Sequence, residues 1–386
     1  MKFRKFSASC QGKKYFEKGW ACQDSSGTLD FEKVQVIAVA DGHGSSDCFR
    51  SATGSKLAVK ILFEQIKKFC ETSNISKEFG DTGIKNFKFE FVSEWKKAVK
   101  NDWEERLKNV SELGEGELRY KSVSEKYKAR YTSEPEKYLY TAYGTTLICA
   151  VSIGKQILFL QIGDGSCVVL QKDGEFKIPV PPEEENFLNV TVSLCEEKSE
   201  LKIRHAILNC DEESPSFPAA IFLSTDGLDD CFEYHKNEEH LYKFYADVLL
   251  ENILQFGFDS TEEEIKSQLL PGMTKRFSQD DISLAYFVVE DLNLLKEIHE
   301  KIDRKYKSEK ISEPPKIQKE ISTETKISEI KKVEEKIFTD TKVTESKGLP
   351  VNFSVKNFSG TGTKILRASE YLITTDTKII PVYTKI

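Results

Sequence analysis

The feature that most constrains the fold is a set of apolar runs rich in Val, Ile, Leu and Phe, bounded by glycine or charged residues. Their composition and length predict buried strands. Two short segments between or beside them, Gly154-Lys155 and Asp173-Gly174, have the composition of hairpin turns, so we expect neighbouring strands to pair antiparallel. The runs cover Lys33–Ala40, Gly144–Ile153, Gln156–Leu170, Ala219–Ser224 and Ile282–Val289.

Helical patterns occupy the segments between these runs. Phe91, Trp95, Val99 and Trp103 recur at intervals of four, and we expect them to lie on one helix face that packs on a sheet. Further helices are predicted over residues 51–70, 240–256 and 261–270. Because strands alternate with long helices, the sequence predicts a layered α/β (α+β) domain.

Aspartates stand at the edges of the apolar runs. If the strands are neighbours, several carboxylates meet at one end of a sheet, where like charges raise one another's pKa and oppose folding. A cation relieves this repulsion, and oxygen ligands without His or Cys suit Mg²⁺ or Mn²⁺. Two such ions ~3.5–4 Å apart lower the pKa of a bridging water and clamp a phosphoryl group, which predicts metal-assisted phosphate hydrolysis. The aspartates are Asp24, Asp41, Asp164, Asp226, Asp230, Asp280 and Asp281.

An Asp-Gly pair taken alone is also a common hairpin turn. Asp173-Gly174, which has polar neighbours, is typical of such a turn. Asp41 and Asp226 instead follow long apolar runs and precede small or helix-starting residues, which favours a ligand role. For Asp164-Gly165, which lies between two apolar runs, composition leaves turn and ligand evenly matched.

The motifs are more specific as an ordered set. They are QD at Gln23-Asp24, VADGHG at Val39–Gly44, YGTTL at Tyr143–Leu147, IGDGS at Ile162–Ser166, LSTDGLDD at Leu223–Asp230 and QDDISL at Gln279–Leu284. Together they resemble the metal-dependent type-2C protein phosphatases, the PPM family, in a bacterial-type form, over roughly residues 5–290. The resemblance implies a four-layer αββα sandwich with two central antiparallel sheets flanked by helices. It also implies a protein-serine/threonine phosphatase that acts on phosphorylated proteins, with a Ser/Thr kinase as an expected partner.

The same resemblance implies a binuclear Mg²⁺/Mn²⁺ centre in which a metal-bridging water attacks the phosphate. Asp41 would bridge the two ions, and the carbonyl of Gly42 would add an oxygen ligand. Asp226 and Asp280 would complete the two-metal site, while Asp24 would act directly or through a water.

Three further residues match family positions. Asp164 and Asp230 correspond to positions that hold a third ion in some members. His43, beside Asp41, would protonate the leaving alcohol as general acid; its alternative role is a local hydrogen bond that shapes the turn.

The sequence departs from the family pattern in three places, one of which is Gln23-Asp24 where the family usually has Glu-Asp. The Arg that usually grips the substrate phosphate before the first acidic residue is missing, and Lys13, Lys14 or Lys18 would replace it as point charges without bidentate geometry. The last motif has Asp280-Asp281 where Asp-Asn is common; by position we expect Asp280 to be the ligand.

Composition indicates which partners and which cellular location to expect. Lys and Arg total 56 against 63 Asp and Glu, a net charge of −7, so we expect no nucleic-acid partner. No window approaches the ~18 apolar residues of a membrane span, and the first residues lack the apolar core of a signal peptide. The nine cysteines form no Cys-x-x-Cys pair, which favours reduced thiols and a cytoplasmic location.

The domain prediction follows the change in composition after Glu290. Residues 1–290 are expected to form the catalytic domain and residues 291–348 a charged flexible linker, in which short helices are compatible with the composition. Residues 349–386 are expected to form a tail of unknown role with short strands. Two other functions stay open at this point. One is a weak or inactive regulator with the phosphatase fold that binds phosphoproteins or a kinase, and the other is a metal-binding structural protein whose tail does the work.

Overall fold

The computed structural model describes residues 2–72, 80–108, 120–121, 123–181, 191–232, 237–312, 372–375 and 378–381. The strands are β1 Phe3–Cys10, β2 Ser25–Phe31, β3 Val34–Ala40, β4 Leu147–Ile153, β5 Gln156–Ile162, β6 Ser166–Gln171, β7 Phe176–Lys177, β8 Arg204–Asn209, β9 Pro218–Ser224 and β10 Ile282–Val289. They form two five-stranded antiparallel sheets, in the orders β2-β3-β4-β5-β8 and β1-β10-β9-β6-β7. A separate hairpin pairs β11 Leu372–Thr375 with β12 Lys378–Pro381.

The two sheets pack face to face, and helices cover their outer faces. Strands β1 and β10 contact β2 and β3 across the interface. Every residue of β3, β9 and β10 is buried, because each strand has a sheet on one side and helices on the other. This burial on both faces explains why these strands are continuous apolar runs rather than alternating ones.

The helices are numbered in chain order. They are α1 Lys13–Phe16, α2 Ser51–Thr72, α3 Asp81–Lys108, α4 Glu125–Ser133, α5 Pro135–Ala142, α6 Ser199–Lys202, α7 Asp226–Asp229, α8 Asn237–Lys243, α9 Glu251–Phe256, α10 Phe258–Glu264, α11 Leu270–Arg276 and α12 Leu292–Ser312. There are also two π-helical segments: π1 Phe244–Leu250 lies between α8 and α9, and π2 Ile265–Leu269 lies between α10 and α11. Helices α2 and α3 lie over the β2–β8 sheet, whereas π2 and α11 contact β1 of the other sheet. The predicted four-layer αββα sandwich is therefore confirmed.

Strand register brings one end of both sheets together. In one sheet the start of β2 pairs with the end of β3, and the start of β4 pairs with the end of β5. In the other sheet the end of β1 pairs with the start of β10, and the start of β6 pairs with the end of β9. The loops that carry the predicted aspartates all leave the sandwich at this end.

The run Gln156–Leu170 is not one strand. It breaks at residues 163–165, where Gly163 has φ 103, and β5 and β6 then belong to different sheets. A φ in this range favours glycine, which allows the chain to turn sharply from one sheet to the other. Asp164 lies in this crossing and not inside a strand.

The residues after Glu290 also differ from the prediction. The first part of the expected linker, residues 292–312, is helix α12, which buries Leu295, Ile298 and Ile302. These side chains recur at intervals of three and four, so they form an apolar face that packs on the domain. The chain divides into a compact unit of Met1–Arg304 with Leu366–Ile386 and a second unit, Lys305–Ile365. The rest of the predicted linker, residues 313–348, lies outside the described residues.

Candidate metal centre

Asp41 directly follows β3, and its backbone is held by the threonines of the YGTTL motif. The Asp41 N–H donates to Thr146 Oγ1 at 3.0 Å, while the Thr146 N–H and the Thr145 hydroxyl each donate to the Asp41 carbonyl at 2.8 Å. These contacts join the end of β3 to the start of β4. The Asp41 side chain is therefore carried on a backbone that has little freedom to move.

Gly42 continues this tight packing. It forms an isolated antiparallel bridge with Thr145. A Cβ at Gly42 would lie 2.5 Å from the carbonyl oxygen of Gln23 and 2.7 Å from that of Ser51, so no larger residue fits here without a shift of the backbone.

Three more aspartates come to Asp41 from other strand ends. Asp24 precedes β2, Asp226 follows β9 at the start of α7, and Asp280 precedes β10. Asp41 and Asp226 share a side-chain hydrogen bond and feel the charge of Asp280. Asp24 is buried and accepts a hydrogen bond from Thr225 Oγ1 at 2.7 Å. Both sheets thus contribute to one carboxylate cluster, defined here as Asp24, Asp41, Asp226 and Asp280.

Electrostatics in this cluster oppose the ionised state. Burial, together with the charges of neighbouring carboxylates, raises the pKa of Asp24 and Asp41 well above 3.8. Burial is also the main cause that raises the pKa of Asp226 to about 6. Because all donors are oxygens and their charges repel, the cluster fits hard divalent cations such as Mg²⁺ and Mn²⁺.

The cluster is more open than the ligand shell of a single bound ion. Among the described residues, three His, Cys or acidic side chains have ligand atoms within 4.8 Å of one another at one place only. That place is elsewhere, at Asp247, His299 and Asp303. Ligands of one octahedral Mg²⁺ lie at most about 4.2 Å apart, given bonds of about 2.1 Å. Asp280 also has a partner that would compete with a metal ion, since it forms an ion pair with Lys14.

Asp281 has a different environment from its neighbour Asp280. It is buried, and the N–H groups of Gly12 and Gln23 donate to its two carboxylate oxygens at 2.6 Å each. Burial raises its pKa to about 6. Since both oxygens already bind backbone N–H groups, Asp281 anchors the segment before β2, and this favours Asp280 as the ligand.

His43 follows Gly42 in the chain, and its ring lies against Gly144. The backbone N–H of His43 donates to the Gly144 carbonyl at 3.0 Å. A Cβ on Gly144 would lie 2.7 Å from Cδ2 of the His43 ring. Burial lowers the pKa of the imidazole, against the opposing effect of Asp164, Glu196 and Asp47. The backbone contact fits the turn-shaping role expected for His43, and the acid role stays a prediction.

The two expected third-ion residues lie at the rim of the cluster. Asp164 and Asp230 are both exposed, and their charges act on Asp226. Asp164 Oδ2 accepts a hydrogen bond from Thr191 Oγ1 at 2.5 Å. The structure thus brings them near the cluster but not into its buried part.

The three candidate lysines separate clearly. Lys14, on α1, pairs with Asp280 and therefore reaches the cluster. The two other lysines have different neighbours. Lys13 Nζ lies 3.8 Å from Glu17 Oε1, and Lys18 Nζ lies 4.6 Å from the centroid of the Trp20 ring.

Sequence reasoning missed Asp229, which lies between Asp226 and Asp230. Its Oδ2 accepts a hydrogen bond from Ser166 Oγ at 2.7 Å, and its Oδ1 is buried without a hydrogen-bond partner among the described residues. Burial raises its pKa to about 7. The doubled Asp in LSTDGLDD was the available signal, but it did not show which carboxylate turns inward.

A polar network that supports the site was missed as well. Arg50, just before α2, donates to Asp102 Oδ2 at 2.6 Å and to the Tyr143 hydroxyl at 2.8 Å, and that hydroxyl donates to Asp102. Asp102 belongs to α3, which carries none of the quoted motifs. The network joins α3 to the residue before α2 and to the YGTTL segment, so this helix helps to hold the loops beside the site.

Comparison with known proteins decides the family. The model of the protein phosphatase 2C family, described as "Protein phosphatase 2C", matches residues 11–269, which is more than half of the chain. The chain belongs to the protein phosphatase 2C family. This confirms the predicted family and the predicted enzyme class, protein-serine/threonine phosphatase, and protein phosphatases 2C are metal-dependent in general. None of the curated proteins matches the sequence.

Solved structures similar to this phosphatase 2C chain include several bacterial enzymes. Serine/threonine phosphatase Stp1 from Staphylococcus aureus is 13% identical over 75% of this chain and 96% of its own, with a TM-score of 0.41. A serine/threonine phosphatase from S. agalactiae is 15% identical over 75% of this chain and all (100%) of its own, with a TM-score of 0.43. A C. elegans sex determining protein is 14% identical over 78% of this chain and 68% of its own, with a TM-score of 0.44. In the described parts of this phosphatase 2C chain, no helix is both long and apolar enough to cross a membrane.

Proposed function

We propose that this protein is an active metal-dependent phosphatase that removes phosphate from phosphoserine and phosphothreonine in proteins, using two Mg²⁺ or Mn²⁺ ions. The observation that carries the proposal is the carboxylate cluster, in which four aspartates from strand ends of both sheets meet. For Asp24, Asp41 and Asp226, burial and the neighbouring carboxylates raise the pKa and so disfavour the metal-free ionised state, which is the expected character of a site made for cations.

The residues that would hold the ions follow from the cluster. Asp41, the Gly42 carbonyl, Asp226 and Asp280 would provide the main oxygens, and Asp24, already bound to Thr225, would act through water. When bound, the two ions would supply Lewis-acid stabilisation of the phosphoryl oxygens and a water of lowered pKa. Asp164 and Asp230, at the rim, would hold a third ion.

The chain's own side chains would do the remaining work. Lys14 is the candidate for binding the substrate phosphate, because it is the candidate lysine that reaches the cluster. His43 would donate a proton to the leaving serine or threonine oxygen. Burial favours the neutral ring, so the proton would have to be held by contacts formed with substrate.

The direct test compares hydrolysis of a phosphopeptide and p-nitrophenyl phosphate with and without Mn²⁺. The wild type should be active only with metal, and Asp226→Asn should lose more than ~10²-fold, since changes even outside the ligand shell cost 10- to 100-fold. Asp173→Asn is the matched control, because Asp173 also precedes a glycine but lies in the β6–β7 turn. Equal turnover by wild type and Asp226→Asn would exclude this site.

A second function is favoured by one observation. The phosphate-binding Arg is absent and Lys14 is paired with Asp280, an arrangement that also suits a weak or inactive regulator that binds phosphoproteins or a kinase. Calorimetric titration separates the two functions, since an enzyme should bind at least two Mn²⁺ ions and a regulator with a decayed site should bind Mn²⁺ poorly. For either function we propose a cytoplasmic protein, consistent with nine cysteines that are all free of disulfides.

A further inference from the structure

A second group of metal-ligating side chains lies away from the carboxylate cluster, between π1 and α12. Asp247 is carried by π1, and His299 and Asp303 are carried by α12. One ligand atom from each of the three lies within 4.8 Å of the other two. All three side chains are half-buried. This group belongs to neither the proposed active site nor its rim.

The spacing of these residues follows from helix geometry. His299 and Asp303 are four residues apart, so they stand one turn apart on the same face of α12. Glu251, four residues after Asp247 and at the start of α9, extends the facing row. Leu295, Ile298 and Ile302 of α12 are buried, so packing on the domain holds this helix in place.

The group combines acidic side chains with one imidazole. The carboxylates of Asp247 and Asp303 and the imidazole of His299 all act on the Glu251 carboxylate. Burial is the largest cause that raises the pKa of Glu251, and Asp247 and Asp303 add to it while His299 opposes it. Repulsion of this kind between acidic side chains from two packed helices is relieved by a cation.

The imidazole provides an independent observation. Nε2 of His299 is buried, and no residue in the described part of the chain forms a hydrogen bond with it. A buried polar nitrogen without a partner is costly, and a coordinated metal ion would satisfy it. One nitrogen of this ring lies within 4.8 Å of a carboxylate oxygen of Asp247 and of one of Asp303.

We propose that Asp247, His299 and Asp303 bind a divalent ion of the zinc class, at a site separate from the phosphatase centre. One imidazole nitrogen with two carboxylates suits Zn²⁺, which takes N and O ligands and commonly keeps a fourth position for water. The all-oxygen carboxylate cluster suits Mg²⁺ or Mn²⁺ instead, so the two sites differ in metal preference. A bound ion would join α12 to π1 and so attach the start of the C-terminal region to the domain.

The experiment is calorimetric titration of the full chain with Zn²⁺ in the presence of excess Mg²⁺, which occupies the all-oxygen site. Wild type should bind one Zn²⁺ equivalent that His299→Gln and Asp303→Asn lose or bind at least tenfold more weakly. Glu300→Gln is the matched control, because Glu300 lies on the same helix but is exposed. Zinc bound by the free cysteines would persist in every variant, so the difference between variants isolates the proposed site.

The outcomes are distinct from those for the phosphatase centre. Asp226→Asn should keep the Zn²⁺ equivalent, and His299→Gln should keep Mn²⁺-dependent phosphatase activity. If His299→Gln fails to fold, Asp247→Asn tests the same site from the other helix. Absence of Zn²⁺ binding by wild type, or equal affinity in wild type, Asp303→Asn and Asp247→Asn, would overturn the proposal.

Discussion

The substitution Asp226→Asn should make the metal-free protein more stable while it removes activity. Asp226 is ionised at neutral pH, yet it lies beside Asp41 in a partly buried site with further carboxylates around it. Replacing its carboxylate by an amide removes one negative charge and keeps the ability to form a hydrogen bond with Asp41. The site is thus expected to trade stability for metal binding, as functional sites often do.

The magnitude follows from the pKa of Asp226, which is raised from 3.8 to about 6 in the folded protein. At about 1.4 kcal/mol per pKa unit, ionising Asp226 at neutral pH costs up to ~3 kcal/mol. We expect Asp226→Asn to raise the free energy of unfolding by about 1 to 3 kcal/mol, or the midpoint of thermal unfolding by about 2 to 6 °C.

The sign of the pH dependence is defined by the same pKa. A carboxyl group with a raised folded pKa binds its proton more tightly in the folded protein than in the unfolded chain. Its stabilising contribution is therefore fully present below about pH 4 and is lost as the pH rises through about 6. The difference in stability between wild type and Asp226→Asn should accordingly be largest near pH 7 and above, without metal.

The assay is urea unfolding in EDTA near pH 5 and near pH 7.5, repeated with Mn²⁺. Asp281→Asn is the control, because the pKa of Asp281 is also about 6 but its oxygens accept two backbone N–H groups. The amide can accept only through its oxygen, so one N–H loses its partner at a cost of about 1–3 kcal/mol. If Asp226→Asn is no more stable than wild type at pH 7.5 without metal, repulsion in the cluster is not the cost we infer.

Three other substitutions test single roles. His43→Gln should lower kcat on a phosphopeptide by about 10²-fold or more, but much less on p-nitrophenyl phosphate, whose leaving group needs no proton; equal losses would leave only the turn-shaping role. Lys14→Gln should raise KM for a phosphopeptide about tenfold, whereas Lys18→Gln should change it less than about twofold, and the reverse order would contradict our assignment. Gly42→Ala should lower the free energy of unfolding, measured in urea, by about 1–3 kcal/mol, because the added methyl would clash with the Gln23 carbonyl. An unchanged free energy of unfolding would show that the backbone can shift here without cost.

The sandwich was predictable from the sequence because its central strands are buried on both faces. Strands such as β3 and β10 have no solvent side, so they appear as continuous apolar runs with sharp ends. The same property concealed the break inside Gln156–Leu170, because both halves are apolar and only Gly163 marks the change of sheet. Helix α12 was missed for the opposite reason: its three buried residues are diluted by many charged ones.

Within the candidate site, sequence order identified the aspartates but not their individual environments. Asp280 and Asp281 are adjacent and identical in type, and they differ only in the partners that the fold provides: Lys14 for one and two backbone N–H groups for the other. Asp102 had no signal at all, since its partners are Arg50 and Tyr143, 52 and 41 residues away. Such long-range pairing depends on tertiary structure, which local patterns do not encode.

The shared end of the two sheets has a practical consequence for handling this protein. The β2–β3 and β4–β5 turns lie at the opposite end, and the Gly154 position in the second turn has nothing within 4 Å of an added Cβ. A cysteine for a fluorophore, or a short epitope tag, inserted beside Gly154 would be separated from the carboxylate cluster by the full length of the strands. Surface attachment through this turn would leave the catalytic end facing solution for binding measurements with large phosphoproteins.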